Sequence, residues 1–284
     1  RMINALIVSK DRACQLRLLL ESIKLNADNF FNQILIIHKG SNFLYEEGYR
    51  KLQAEKILPN LAWQAEQDFV SDFKNAINGC GSHFMCGIVD DCVFYKRLPV
   101  TWKDVESAIQ DDVFCFSLRL GLNTTLQYYM KPDQRYRLEN YGENALFVKW
   151  NWKEWDSTLN YGYPISLDGH VFRTKQLAEL TNKYPFDYLR QWEGVIAGRC
   201  RDDVPEQNMV ACKQNVLFSI ATNCVQDPPL VAGLMYPYTE EYLNNKYLND
   251  EVISLEGLEY GFQNVSWCHT EMPFRFNKIN NGEE

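Results

Sequence analysis

A chain of 284 residues is long enough to bury a large core, and at about 100–200 residues per domain it allows one large α/β domain or two small ones. A formal charge of −8 argues against a nucleic-acid partner, and no run approaches the roughly 18 apolar residues of a membrane span. Nine cysteines without CxxC spacing, set inside apolar runs, predict reduced and packed thiols; no signal-peptide pattern opens the chain, and a soluble cytoplasmic protein is expected.

The opening run Met2–Val8 is apolar and predicts a strand, with a turn at Ser9-Lys10-Asp11-Arg12. From Ala13 to Leu25 the leucines and Ile23 recur close to a 3.6-residue period, which predicts a helix with Asp11 placed to cap its start. Gln33–His38 reads as a second buried strand and Tyr45–Leu58 as a second helix. Leu61–Trp63 leads into a third helix, Asp68–Asn78, stopped at Gly79-Cys80-Gly81. This alternation is the pattern of a doubly wound nucleotide-binding half. Neither GxGxxG nor GxxxxGK[ST] occurs, which argues against a nicotinamide or P-loop enzyme.

The run His83–Phe94 comes next, rich in β-branched and aromatic residues and broken by Asp90-Asp91. Ligands of open α/β sheets sit beyond the carboxyl ends of the strands, so both acids are expected at the mouth of a site. Their mutual repulsion is relieved by a divalent cation or by hydrogen-bond donors, and a turn with one solvated Asp is the structural alternative.

After Pro99 a helix is expected near Thr101–Gln110 and a strand at Val113–Leu118, leading into Arg119. Gln127–Leu159 is aromatic and polar and reads as hairpins or a long loop, and Tyr161–Pro164 as a turn. Ile165–Thr174 passes from turn to strand, helices follow at Thr174–Asn182 and about Leu189–Gly198, and a helix or strand pair lies beyond Gln207. Residues 241–284 read as an irregular tail on the surface, and no linker or repeat divides the chain.

Segments in fixed order carry a resemblance. Val8-Ser9-Lys10-Asp11-Arg12-Ala13-Cys14-Gln15-Leu16, Ile88-Val89-Asp90-Asp91-Cys92, Asp168-Gly169-His170-Val171-Phe172-Arg173 and Trp192-Glu193-Gly194 with Arg199 resemble the opening, the DxD, the Gly-containing and the ED-then-Arg motifs of GT-A glycosyltransferases related to family two. The resemblance covers roughly residues 2–200, and it departs at Cys92, which stands at the last DxD position, and at Gly194, which replaces the second acid of the ED pair.

The resemblance implies a Rossmann-like doubly wound mixed sheet in a single domain, with 1–100 as nucleotide-binding half, 101–240 as donor-sugar and acceptor half, and 241–284 as tail. It also implies transfer of a sugar from a nucleotide diphosphate sugar to a glycan or other hydroxyl acceptor, with inversion, in surface polysaccharide or glycan synthesis. Asp11 and Arg12 are then expected at the nucleobase or ribose, and Asp90 and Asp91 at the diphosphate, with Asp91 and His269 as ligands of Mn²⁺ or Mg²⁺. Glu193 and Asp168 are rival bases, and His170 is a donor to a phosphate or sugar oxygen, or else a satisfied structural histidine. Lys74 and Arg119 are placed to offset diphosphate charge, with surface charge as the alternative. A non-catalytic nucleotide-sugar or glycan-binding module is the rival from another class, and a sugar-1-phosphate nucleotidylyltransferase the rival enzyme.

Overall fold

In a computed structural model describing residues 2–126, 135–223, 225, 235–259 (backbone only at 257 and 259) and 265–279, period-two alternation decides which way each strand faces. In β1 (Ile3–Lys10), Ile3, Ala5 and Ile7 enter one apolar core, while Leu6 and Val8 face the other. The same alternation repeats in β4 (Phe84–Val89), where Phe84, Cys86 and Ile88 oppose Met85. Between them run α1 (Ala13–Asn26), β2 (Phe31–Lys39), α2 (Phe43–Glu55), β3 (Leu61–Ala65) and α3 (Phe69–Asn78). Asn42 and Asp68 cap α2 and α3 by accepting from backbone N–H groups of the first turn. Asp11 does not cap α1. Its backbone is left-handed, at φ 57°, and its carboxylate accepts instead from the Ser41 amide at 2.6 Å.

The second half contains β5 (Cys92–Phe94), α4 (Trp102–Ala108), β6 (Val113–Ser117), the hairpin β7 (Tyr141–Glu143) and β8 (Phe147–Asn151), and β9 (His170–Arg173). Then come α5 (Thr174–Lys183), α6 (Leu189–Asp203), β10 (Asn208–Cys212) and β11 (Leu217–Ile220). The pair beyond Gln207 is therefore two strands, and residues 127–134 of the aromatic stretch lie outside the described residues. The helix expected to stop at Gly198 runs on to Asp203, because Trp192, Ile196 and Cys200 continue one buried stripe at i, i+4 and i+8.

Among the described residues the main sheet has nine strands in the order β3-β2-β1-β4-β9-β6-β10-β8-β7. β3, β2, β1 and β4 are parallel, and β9 lies antiparallel between β4 and β6, so the sheet is mixed. Leu16 and Leu19 of α1 and Tyr49 and Leu52 of α2 cover one face; Phe73, Leu177 and Trp192 of α3, α5 and α6 cover the other. This is the doubly wound layering expected from the sequence.

The C-terminal residues carry α7 (Glu240–Leu248), β12 (Glu251–Ile253), α8 (Glu256–Glu259), β13 (His269–Thr270) and β14 (Phe276–Lys278). Leu243 and Tyr247 are buried in the core that holds α1 and α2, so this stretch is tied into the fold rather than laid over it. β13 pairs with β11, and β11 with β5, which sets His269 beside Ser219 and Ser219 beside Cys92. No helix among the described residues is long and apolar enough to cross a membrane.

Candidate active site

The pairing of β1 with β4 ends at Val8 opposite Val89, at the point where strand order turns back on itself. A crevice opens at such a point because the chain leaves the two strands in opposite directions. Here it is a cavity of about 690 Å³, with Lys10, Arg12, Asp90, Asp91, Asp168, Glu193 and His269 on its wall and Phe69, Tyr163, Tyr188 and Leu189 as its apolar side.

Asp90 follows β4 directly, and its Oδ2 accepts from Ser9 Oγ at 2.8 Å. Arg12 stands across from it, with Nη1 3.0 Å from Asp90 Oδ1 and 3.5 Å from Asp91 Oδ2. The guanidinium is also tied to Asn223: Nε donates to Oδ1 at 2.8 Å and Nη2 donates to the carbonyl. Burial pushes both carboxyls above the usual carboxylate range, Asp91 to about 7, against the pull of Arg12.

A second cluster sits opposite. Gly169, at φ +88°, turns the chain into β9, and its amide donates to the Gly87 carbonyl at 2.8 Å. A Cβ on Gly87 would run into Leu167 Cδ2 and stand 3.3 Å from Leu167 Cα, so the bare backbone at 87 is what lets the 166–169 turn press against β4. Asp168 is carried on that turn. Arg119, 4% exposed, donates from Nη1 to Asp168 Oδ2 at 2.7 Å and to Ser166 Oγ at 2.8 Å. Its Nη2 lies 2.6 Å from His269 Nε2. A guanidinium only donates, so Nε2 is the accepting nitrogen and its lone pair is committed to Arg119. Burial, then Arg119, lower the His269 pKa to about 4 and keep the ring neutral.

Glu193 enters from the first turns of α6, beside Tyr188 and Leu189. Its Oε1 accepts from the Leu167 amide at 3.2 Å, so it leans on the turn that carries Asp168. Burial and the neighbouring Asp168 push its carboxyl up to about 8, and Arg119 opposes the shift.

The cavity thus gathers Arg12, Asp90, Asp91, Arg119, Asp168, Glu193 and His269. Asp11, Lys74 and His170 are not on its wall. The Lys74 ammonium lies over the Phe186 ring at 5.4 Å. His170 is buried with Nδ1 2.8 Å from the Pro164 carbonyl, and burial lowers its pKa to about 3. Arg199 is exposed on α6. Lys10, Ser166, Asn160 and Asn223 were not singled out in the sequence. Lys10 alone had a signal, its place at the end of the first strand, whereas Asn160 and Asn223 reach Arg119 and Arg12 only through the fold.

The groups expected to hold a divalent cation do not fit one. Asp91 Oδ1 is buried without a hydrogen-bond partner among the described residues, but the other oxygen of that carboxylate faces Arg12. At an effective dielectric of about 20, unit charges about 4 Å apart interact by roughly 4 kcal/mol, and a divalent ion doubles the repulsion from the guanidinium. His269 has its lone pair on Arg119, Cys92 is buried with Sγ 3.5 Å from Ser219 Oγ, and no three His, Cys, Asp or Glu side chains among the described residues converge on a metal position.

No protein-family model matches the chain, and no curated protein does. Among solved structures it is similar to a mycobacterial protein, at 12% identity over 81% of this chain and 69% of that one, with a TM-score of 0.45. It is also similar to S. aureus TarS, at 11% identity over 78% of this chain and 37% of that one, with a TM-score of 0.47. A third is glucosyl-3-phosphoglycerate synthase from Mycobacterium tuberculosis in complex with Mg²⁺ and uridine diphosphate, at 10% identity, 77% and 71% coverage, and a TM-score of 0.42.

Proposed function

We propose that the chain transfers a sugar from a nucleotide diphosphate sugar to a hydroxyl acceptor. The observation that carries the reading is the meeting, in one cavity at the β1/β4 switch point, of a cationic side formed by Lys10 and Arg12 with two carboxylates of different character, Asp168 and Glu193. Glycosyl transfer requires charge relief on the leaving diphosphate, a base for the acceptor and a partly dry pocket.

In this reading the acceptor oxygen bonds to the anomeric carbon as the bond from that carbon to the diphosphate oxygen breaks. The electron pair leaves with the diphosphate, toward Lys10 and Arg12, and the acceptor proton goes to Glu193. Glu193 suits this role because its raised pKa makes its carboxylate a stronger base than an ordinary one. Asp168, held by Arg119, accepts from a sugar hydroxyl. One base on one side of the cavity supports single displacement, hence inversion.

The pairing of Arg12 with both strand-end acids favours one rival, a binding module without turnover. Glu193→Gln separates the two readings: the enzyme loses turnover while keeping donor affinity by calorimetry, and a wild-type chain that binds donor without releasing nucleoside diphosphate is a binding module.

A further inference from the structure

We infer that the guanidinium of Arg12 takes the place of a divalent cation between Asp90 and Asp91, so that the chain binds the diphosphate of its donor without metal. The inference rests on the reading of the cavity as a nucleotide-sugar site, and it concerns how that site meets the charge of the diphosphate.

Arg12 is fixed by more than the acids. Its backbone amide donates to Tyr49 Oη at 3.2 Å, and Tyr49 Oη is 2.7 Å from Ser9 Oγ, which itself donates to Asp90. Asn223 holds the guanidinium from the far side through Nε and Nη2. The cation and its first acid are thus held by one buried hydrogen-bond chain, not by a pair of mobile surface side chains, and the Arg12 side chain is only 11% exposed. An ion entering between Asp90 and Asp91 would strand this guanidinium beside a divalent charge, with little solvent to screen it.

The ligands that would have to complete a metal site are spent in the same way. Arg119 holds Asp168 Oδ2 at 2.7 Å and occupies the His269 lone pair, while Cys92 turns into the β5–β11 pairing. The cavity therefore carries positive charge in covalently attached form, on Arg12 and on Lys10 at the neighbouring strand end. A guanidinium stays charged while it holds its carboxylates, so it still offsets diphosphate charge through space.

The test uses the full chain and Mn²⁺ as probe, followed by the free-ion signal in electron paramagnetic resonance, with UDP and GDP affinities measured in EDTA and in Mn²⁺. The wild-type chain is expected to take up no stoichiometric Mn²⁺, and its affinity for whichever nucleotide binds is expected to change by less than about threefold between the two conditions. Arg12→Met frees two acids and is expected to gain Mn²⁺ binding that Arg12→Lys lacks. One Mn²⁺ bound tightly per wild-type chain, a loss of nucleotide affinity of about tenfold or more in EDTA, or a folded Arg12→Met that binds Mn²⁺ no better than wild type overturns the inference. If Arg12→Met does not fold, the wild-type measurements decide alone. Absence of nucleotide binding in both conditions defeats the functional reading instead, and the Mn²⁺ titration of the wild-type chain still decides the inference.

Discussion

Arg119 Nη1 lies 2.7 Å from Asp168 Oδ2, with the arginine side chain 5% exposed and the aspartate 16%. The pair joins the end of β6 to the turn before β9, and through His269 it reaches β13. A charge buried this deeply is tolerated because its donors are distributed over Asp168, Ser166, Asn160, Cys268 and His269.

Removing the arginine leaves Asp168 without its counter-ion. Arg119→Met is expected to lower unfolding free energy by about 3–5 kcal/mol in urea denaturation. Because the 166–169 turn then loses its anchor, turnover is expected to fall further than donor affinity.

Glu193 sets the pH dependence. Its carboxylate is the working base and forms as pH rises through about 8, so kcat/KM is expected to climb with pH and level off above that value. Glu193→Gln is expected to lose about 10²–10⁴-fold in turnover and to lose this limb. Stability runs the other way. The folded chain keeps a proton that the unfolded chain releases near 4.5, so the contribution of Glu193 is full below that pH and is lost as pH rises through about 8.

His170 gives the opposite sign. Its pKa falls from 6.5 when unfolded to about 3 in the fold, so its contribution is present above about 6.5 and is lost as pH falls toward 3. Thermal melts between about pH 5 and pH 8 are expected to show an early acid loss of stability that is smaller in His170→Gln.

Gly87→Ala tests the contact between β4 and the Asp168 turn. The added methyl runs into Leu167 Cδ2 and stands 3.3 Å from Leu167 Cα, so the Leu167 side chain has to turn and its backbone to give by a few tenths of an ångström. A loss of about 1–3 kcal/mol by chemical denaturation is expected, with a larger fractional fall in kcat/KM than in donor affinity.

What the sequence discloses and what it hides follow from distance along the chain. β1 to β4 are legible because each is a local apolar run and α1 to α3 keep a helical period, and the end of β4 then places Asp90 and Asp91 at the sheet's edge without further information. Asp11 looked like a cap because it stands before α1, but its φ of 57° sends the carboxylate to Ser41 instead. The antiparallel placement of β9 was hidden, since a short apolar run carries no sign of its direction. The partners of Arg119 were equally hidden: Cys268 and His269 are about 150 positions away, and only the β5-β11-β13 sheet brings them back. No local pattern reports that Arg12 answers the charge of Asp90 from 78 positions upstream.

Sugar transfer is measured by incubating the purified chain with a panel of UDP-, GDP-, ADP- and dTDP-sugars, with and without Mn²⁺, and following release of the nucleoside diphosphate. Release from at least one donor by the wild-type chain is expected, accelerated by acceptor glycans and reduced about 10²–10⁴-fold in Glu193→Gln. A wild-type chain that releases nucleotide from no donor in the panel, whether or not it binds one, contradicts sugar transfer.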